Sequence, residues 1–314
     1  MTCILLTGAG FSRNWGGWLA NEVFSHLMSC KLDDYTRDLL IKYRATGGFE
    51  AAMSVLQKRL KDEPNDENNI RVQALTSELY GMFNLLSQGF LHGKFEFQNY
   101  VEFMVAPFLN RFDAIFTVNQ DTLLEIHYFD GTLPRWSGVQ LPGMRAFGPP
   151  PHIQGSIYDK VRKMTPDLAA YQCDPRFQPY FKLHGSINWV IDDRSGLLMV
   201  LGGSKSEYIA ANPILSHYQQ EFEAYLARPD ARLMVIGYGF NDSHINDAIT
   251  RGVESGLKLF LVDPVGMDVF SRTVGYHFGS AVPRAVIGVS ERPLSATFNG
   301  DRIEHAKLLR FFTQ

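Results

Sequence analysis

The sequence predicts an α/β protein in which a parallel sheet is joined to a helical module. Short apolar runs recur along the chain, each followed by glycine or a polar residue, and one long stretch shows only helical periodicity. Strands of a parallel sheet, buried on both faces, have this continuous apolar character. With 314 residues, the chain can bury a sizeable core. We expect one domain over 1–314, with a helical insertion at about 33–108.

The amino-terminal segment is predicted to begin the sheet. Residues 3–7 are a short apolar run that stops at Gly8, as a buried strand does where it turns into a loop. Because the run is short and has no basic flank, we expect a strand and not a signal peptide. A helix is expected to follow from about Trp18 to Met28.

The stretch from residue 33 to residue 108 has helical periodicity throughout. Apolar residues recur there every three or four positions, which places them on one face of a helix. The two clearest sets are Phe49, Met53, Leu56 and Leu60, and Leu75, Leu79, Met82 and Leu86. A polar segment at 61–67 is predicted to be a turn between helices. Since no strand pattern occurs in this range, we expect a helical module set into the α/β core.

Further apolar runs predict more strands along the rest of the chain. They are Asp113–Val118, Tyr180–Leu183, Arg232–Ile236 and Lys258–Val262. Helices are expected at Ser243–Glu254 and about Arg302–Phe312, and the Pro- and Gly-rich segment 142–155 is expected to be a loop. Strands that alternate with helices are typical of a Rossmann-like parallel sheet.

The composition argues against several classes of protein. The net charge of -3 provides no basic footprint, so no direct nucleic-acid binding is predicted. Three cysteines without a CxxC pair argue against a disulfide framework and against a structural zinc ribbon. A reducing cytoplasm is the expected location. No apolar run reaches the roughly 20 residues of a membrane span, so no membrane association is expected.

Each of the five predicted strands ends in a cluster of Gly, Asn, Asp or His. The clusters are Gly8–Ser12, Asn119–Asp121, His184–Ser186, Gly237–Asp242 and Asp263. In parallel α/β sheets, ligands bind at the carboxyl ends of the strands. One such cluster would be ordinary punctuation of a strand end. Five of them favour a shared binding site.

The first cluster has some features of a nucleotide-binding loop. Gly8 and Gly10 permit a tight turn and a close backbone approach to a pyrophosphate, and Ser12 adds a hydroxyl donor. Position 13 is Arg, so the GxGxxG fingerprint of dinucleotide-binding oxidoreductases is incomplete. By itself this loop is equally compatible with a plain strand–turn–helix.

Taken together, the clusters resemble the motifs of the sirtuin family. Gly8–Ser12 resembles the GAGxS opening, Thr117–Leu123 resembles the TQNxDxL segment, and Lys182–Gly185 resembles the HG segment with its catalytic histidine. Gly237–Phe240 stands where sirtuins have a GTS-type phosphate loop. Asp263 stands where the family has an acidic or amide residue for the adenosine ribose.

The resemblance implies that the chain binds NAD⁺ and breaks its bond to nicotinamide. Asn119 would position the ribose or an attacking water, and His184 would serve as a general base near neutral pH. The residues expected to contact NAD⁺ are Gly8, Ala9, Gly10, Phe11, Ser12, Asp121, Gly237, Gly239, Asn241 and Asp263, and no metal is expected.

Several of these residues also have a purely structural interpretation. His184 could be a core histidine bonded to a carbonyl, and Asp121 could cap a helix that begins at Thr122, a role compatible with holding the nicotinamide carboxamide. Phe11 could cover the nicotinamide ring or pack against the sheet. Asn241 could contact a ribose, whereas Asp242 next to it could instead cap the following helix.

Three departures from the family pattern indicate which branch the chain resembles. Protein-deacylating sirtuins carry a zinc ribbon of paired CxxC units after the HG segment, but this chain has no cysteine after Cys173. His184 follows Asn119 by 65 positions, a longer spacing than we expect for a deacylase, and residues 13–18 lack the proline-containing loop of deacylases. The chain is more similar to the sirtuin-like NADases of bacterial antiviral defence, which lack the ribbon and carry a helical insertion.

This closer resemblance implies an NAD⁺ hydrolase that releases nicotinamide and ADP-ribose and depletes the NAD⁺ of an infected cell. It also implies a homo-oligomer and a separate sensor or activator protein, such as a translocase ATPase or an Argonaute-like protein. Two alternatives remain open: a zinc-free deacylase or ADP-ribosyltransferase, and a non-catalytic sensor of NAD⁺ or ADP-ribose. A Rossmann oxidoreductase is disfavoured by the incomplete glycine fingerprint.

Overall fold

A seven-stranded sheet forms the centre of the fold, and all of its paired strands are parallel. The structure, a computed structural model, describes residues 1–92, 105–129, 133–148, 161–191, 196–203, 205–273 and 275–313. The strands of this sheet are β1 (Thr2–Thr7), β2 (Ala114–Thr117), β3 (Val139–Gln140), β6 (Gln178–Lys182), β9 (Ala231–Ile236), β10 (Lys258–Val262) and β11 (Val286–Ser290). The mixed α/β class and the parallel sheet predicted from the sequence are confirmed.

The structure also has a second, smaller sheet, whose strands come directly before and after β6 in the chain. Its strands are β4 (Met144–Ala146), β5 (Met164–Pro166), β7 (Gly185–Val190) and β8 (Leu197–Met199), arranged in the order β4-β5-β7-β8. Pairing is antiparallel at both edges and parallel between β5 and β7. Because β7 begins directly after β6, this sheet is connected to the end of a central strand.

The order of the main sheet is β11-β10-β9-β1-β2-β6-β3. The strands β2 and β6 are added on one side of β1, and the later strands β9, β10 and β11 are added on its other side. The direction in which successive strands are added therefore reverses between the neighbours β1 and β9. In open parallel sheets such a reversal is the switch point, where a ligand crevice forms at the carboxyl ends of the strands.

Helices cover both faces of the main sheet. They are α1 (Ala9–Arg13), α2 (Ala20–Leu27), α3 (Asp34–Tyr43), α4 (Gly48–Asp62), α5 (Asp66–Leu91), α6 (Ala106–Leu109), α7 (Leu123–His127), α8 (Lys205–Ala211), α9 (Pro213–Leu226), α10 (Ser243–Glu254), α11 (Ala281–Arg284), α12 (Leu294–Thr297) and α13 (Arg302–Arg310). Within the described ranges, 3₁₀ helices occupy Leu168–Ala170 and Gly266–Ser271.

Two apolar cores lie against opposite faces of the main sheet. Alternate residues of β1 show the division, since Ile4 and Leu6 join one core and Leu5 joins the other. The first core contains residues of α9 and α10, and the second contains residues of the end of α5 and of α13. Strands buried on both faces explain the continuous apolar runs in the sequence.

Helices α2 to α5 share a third apolar core. The helical prediction for 33–108 is confirmed over most of the described part of that range, and 93–104 lie outside the described residues. The predicted turn at 61–67 is close to the observed one, because α4 ends at Asp62 and α5 begins at Asp66. The periodicity predicted these helices well because each is long and amphipathic.

All five predicted strands are present, and they are five adjacent members of the main sheet. Strands β3, β4, β5, β7, β8 and β11 were not predicted. Met144–Ala146 forms a strand inside the segment predicted to be a loop at 142–155, of which 149–155 lie outside the described residues. A three-residue strand carries too few positions to show a period. None of the helices in the described ranges has both the length and the apolar composition to cross a bilayer.

Candidate functional site

The polar clusters predicted from the sequence follow β1, β2, β6, β9 and β10, whose carboxyl ends share one edge of the parallel sheet. The chain leaves the two strands at the switch point toward opposite faces. After β1, Phe11 packs into the second core, and after β9, Ile245 packs into the first core. This divergence is the geometry that opens a crevice at a switch point.

Three glycines bring the loops after β1 and β9 into direct backbone contact. A Cβ atom on Gly8 would lie 2.6 Å from the carbonyl oxygen of Gly237, and one on Gly237 would lie 2.4 Å from the carbonyl carbon of Gly10. Gly237 also has a φ of 60°, a left-handed conformation that favours glycine. Side chains are therefore excluded from the point where the two loops meet.

The backbone N–H groups at this contact are already in use. Gly8 N donates to Ile236 O at 3.0 Å, and Gly10 N donates to Gly237 O at 2.9 Å. The glycines thus hold the two loops together and let a ligand approach the backbone closely. In the described conformation, these two N–H groups are not directed at a phosphate.

Ser12, Asn119 and Asp121 form one hydrogen-bonded network across the loops after β1 and β2. Asn119 Nδ2 donates to Gly8 O at 2.9 Å and to Ser12 Oγ at 3.0 Å. Ser12 Oγ in turn donates to Asp121 Oδ2 at 2.8 Å. Residues predicted separately from two distant motifs are therefore in direct contact.

This network leaves one polar atom available. No described residue donates a hydrogen bond to Asn119 Oδ1, and Asn119 is partly exposed. Asp121 Oδ1 accepts from Leu123 N at 3.0 Å, but the N-cap of this helix is Thr122, so the interpretation of Asp121 as the cap of a helix beginning at Thr122 is wrong in its position. The open acceptor of Asn119 is suited to a ribose hydroxyl or a water molecule.

His184 lies in the turn between β6 and β7 and is almost fully buried, with 4% of its surface exposed. Thr117 and Lys182 are the last paired residues of β2 and β6. Asn119 and His184 each lie two residues beyond the member of this pair on their own strand. They therefore occupy corresponding positions on neighbouring strand ends. No hydrogen bond joins the two side chains in the described structure.

The ring of His184 is paired with a second histidine, His244, at the start of α10. Their Nε2 atoms are 3.1 Å apart, which requires one ring to donate and the other to accept. Burial lowers the pKa of His184 to about 3, against the opposing influence of Asp242. Burial also lowers the pKa of His244. Both rings are therefore neutral near neutral pH, and His184 can accept a proton.

A chain of charged residues lies beside the histidine pair. Lys205 Nζ is 2.5 Å from Asp242 Oδ1 and 2.7 Å from Glu50 Oε2. Burial alone would raise the pKa of the Asp242 carboxyl, but the Lys205 ammonium bound to it holds that pKa below its usual value. This arrangement keeps a carboxylate next to two neutral imidazoles.

A second buried ion pair contacts the backbone of the Asn119–Asp121 segment. Lys182 Nζ is 2.6 Å from Glu125 Oε1 and also donates to the backbone carbonyl of Asp121. Both side chains are buried, and burial raises the pKa of Glu125 against the attraction of Lys182. Removing one partner would leave the other charge uncompensated, so the pair fixes the position of Asp121.

The remaining predicted residues lie further along the same edge. Ala9, Gly239 and Asn241 are exposed, so a ligand can reach them. Phe11 is buried against Trp15, with ring centroids 4.8 Å apart, so its side chain packs into the core in this conformation. Asp263 Oδ1 accepts from Val265 N at 3.0 Å in the turn after β10.

Several residues of the site were missed by sequence reasoning. His244 had a usable signal, because it lies at the start of a predicted helix directly after a predicted strand end. Lys182 also had one, as a charged residue inside an apolar strand. Glu50 and Lys205 had none, since only the fold brings together residues so far apart in sequence.

Comparison with protein families finds a match to the SIR2-like domain over residues 113–260. The matched segment includes Asn119, Asp121, His184 and Gly237, and it ends before Asp263. The match supports a sirtuin-like family for about half of the chain. No curated protein matches the chain.

Solved structures with a similar fold include several Sir2 complexes. One is a Sir2 histidine-to-alanine variant with deacetylated p53 peptide and 3′-O-acetyl ADP-ribose, at 13% identity and a TM-score of 0.43, covering 98% of this chain and 94% of that one. Another is Sir2 with p53 peptide and NAD⁺, at 12% identity and a TM-score of 0.43, covering 97% and 93%. A third is Sir2 bound to acetylated peptide, at 13% identity and a TM-score of 0.41, covering 97% and 93%. Similarity at this level assigns no substrate and no residue role to this chain.

Proposed function

We propose that the chain is an NAD⁺ hydrolase that releases nicotinamide and ADP-ribose. The observation that carries this proposal is the Ser12–Asn119–Asp121 network, which lies beside the strand end bearing the neutral, buried His184. The match to the SIR2-like domain includes Asn119, Asp121 and His184, and it supports NAD⁺-dependent chemistry.

In the proposed reaction, water attacks C1′ of the nicotinamide ribose while the C1′–N bond breaks. The electron pair of that bond stays on the nicotinamide nitrogen, which neutralises the pyridinium. Asn119 Oδ1 accepts a hydrogen bond from the ribose or from the attacking water. Asp121, anchored by Ser12 and Lys182, holds the carboxamide of the leaving group.

The proton released by water passes to His184. We assign the tautomer in which His184 Nε2–H donates to His244, because His184 Nδ1 then presents a lone pair. His244 is partly exposed, so the histidine pair can pass the proton to solvent. His244 is in this scheme a positioning residue that selects the tautomer of His184.

The dinucleotide would lie across the switch point, with its phosphates near the side-chain-free contact of Gly8, Gly10 and Gly237. Exposed Gly239 and Asn241 would contact the outer part of the ligand, and Asp263 would contact the adenosine ribose. No metal ion takes part in this proposed reaction.

The motif resemblance extends the proposal to a biological role. As the effector of an antiphage system, the chain would deplete the NAD⁺ of an infected cell. In that role it would work in the cytoplasm as a homo-oligomer with a separate sensor, such as a translocase ATPase or an Argonaute-like protein. This part rests on the motifs alone.

The activity is tested by measuring free nicotinamide after incubation with NAD⁺. His184→Ala and Asn119→Ala should each reduce release by about 100-fold or more, the contribution expected of a positioned base or orienting group. Exposed His217 and Asn69 provide matched controls, and His217→Ala and Asn69→Ala should keep the activity of the unmodified chain. Circular dichroism checks that each variant is folded.

Release that is equal in all four variants would contradict the assignment of the site. Turnover that depends on an acetylated peptide would instead identify a deacylase. NAD⁺ binding without nicotinamide release, measured by calorimetry with and without a sensor protein, would identify a sensor.

A further inference from the structure

Two groups of metal-ligating side chains occur among the described residues. One consists of His184, Asp242 and His244, and it belongs to the candidate site. Its polar atoms are already engaged, because the two imidazoles bond each other and Lys205 binds Asp242. An ammonium so close to a carboxylate opposes the binding of a cation there.

The second group lies outside that site, where α2 packs near α5. It consists of His26 on α2, Cys30 in the turn that follows α2, and Glu78 on α5. One ligand atom from each residue lies within 4.8 Å of the other two. His26 and Cys30 are four positions apart, and Cys30 Sγ donates to the backbone carbonyl of His26 at 3.4 Å, which holds the thiol against the end of α2.

The ligand atoms of this group have few other partners. The imidazole of His26 contacts the ring of Trp18, with centroids 5.2 Å apart, and no described residue hydrogen-bonds to its nitrogens. All three side chains are partly buried, so an ion can enter while the surrounding protein still excludes much of the water. This distinguishes the group from a chance set of exposed carboxylates.

We propose that His26, Cys30 and Glu78 bind a zinc ion, with water in the fourth position. Thiolate, imidazole and carboxylate are the three ligand types that proteins use for zinc, and tetrahedral sites commonly combine them. The thiolate selects against Mg²⁺ and Ca²⁺, which prefer oxygen ligands. A site of this kind would fasten α2 to α5 within the third core.

Binding requires the Cys30 thiol to lose its proton. Zinc displaces this proton into solvent as the Zn–S bond forms, and no oxidation occurs.

The test is a titration of metal-free protein with Zn²⁺ and, separately, with Co²⁺. The chain should bind about one equivalent tightly, Zn²⁺ should raise the thermal unfolding midpoint, and Co²⁺ should produce a thiolate charge-transfer band. Cys30→Ser should abolish the band and weaken zinc binding by at least ~10-fold. Glu78→Gln, a mild change on a helix surface, should also weaken binding.

Two control variants localise the ion. Cys173→Ser removes an exposed cysteine, and His244→Gln removes a histidine from the other group; both variants should keep the zinc affinity of the unmodified chain. Absence of tight binding, or binding that is lost in His244→Gln and retained in Cys30→Ser, would overturn the proposal. The result is independent of the proposed NAD⁺ hydrolase activity, since nicotinamide release is measured separately.

Discussion

At the scale of single residues, burial sets the protonation state of the candidate base. His184 is almost fully buried, and the lowered pKa keeps its ring neutral well below neutral pH. Protonation of His184 should therefore not limit activity between pH 5 and pH 8. The same burial makes folding sensitive to acid, because an unfolded histidine titrates near pH 6.5.

The sign of this effect follows from proton binding in the two states. Between about pH 6.5 and the folded-state pKa of about 3, the unfolded chain binds a proton at His184 and the folded chain does not. The free energy of unfolding should therefore fall as the pH is lowered through this window. Between about pH 7 and about pH 5, His184 should account for roughly 2 kcal/mol of this fall in the free energy of unfolding.

Urea unfolding at these two pH values, compared between the unmodified chain and His184→Gln, measures this contribution. On acidification, the free energy of unfolding of the variant should fall by roughly 2 kcal/mol less than that of the unmodified chain. His217→Gln, at an exposed position, should lose as much as the unmodified chain. An equal loss in His184→Gln and the unmodified chain would show that His184 is not held neutral by burial.

Sequence reasoning at this scale identified residues but not their partners. Ser12, Asn119 and Asp121 were predicted from separate motifs, and the structure joins them by two hydrogen bonds. The partner of His184 was not predicted, because His244 contacts it only through the packing of α10 against the sheet edge. A contact between residues distant in the chain has no local pattern.

At the scale of elements, the contact between the loops after β1 and β9 depends on glycine. Gly237→Ala should push these loops apart, because the new Cβ would meet the backbone of Gly10 and the φ of 60° is unfavourable for alanine. We expect a loss of about 2–4 kcal/mol in the free energy of unfolding. NAD⁺ binding should weaken as well, and chemical unfolding and calorimetry measure the two effects.

Gly256 is a matched control for the backbone conformation alone. It also has a positive φ, of 102°, but a Cβ there would meet no atom within 4 Å. Gly256→Ala should therefore cost only about 1–2 kcal/mol and leave NAD⁺ binding unchanged. Equal effects of the two substitutions would show that the loop contact does not matter.

The sequence patterns predicted the five central strands of the main sheet and several long helices. Those strands and the helix Ser243–Glu254 were found close to their predicted bounds, whereas the five-residue edge strand Val286–Ser290 and the 14-residue helix Pro213–Leu226 were not predicted. The second sheet was not predicted, because three of its strands have only three residues each and the fourth, β7, begins inside the polar cluster His184–Ser186. We propose that α3 to α5 belong to a helical insertion at about 33–108 within a single domain, since they share with α2 a core separate from the other two.

At the scale of the whole molecule, the strand order determines which loops meet. The sequence predicted that polar clusters follow five parallel strands, but it could not predict that β9 lies beside β1. That neighbour relation places the switch point between Gly8 and Gly237 and brings the later half of the chain to the first loop. Adjacency in a sheet depends on long-range packing and is therefore absent from local sequence patterns.

The most direct test of the account is a crystal structure of His184→Ala with NAD⁺ bound. We predict that the nicotinamide ribose lies within hydrogen-bond reach of Asn119, about 2.6–3.2 Å, with the vacated imidazole position beside C1′. The pyrophosphate should lie along Gly8, Gly10 and Gly237. A dinucleotide bound elsewhere, or a ribose beyond reach of both Asn119 and the position of His184, would contradict the central claim.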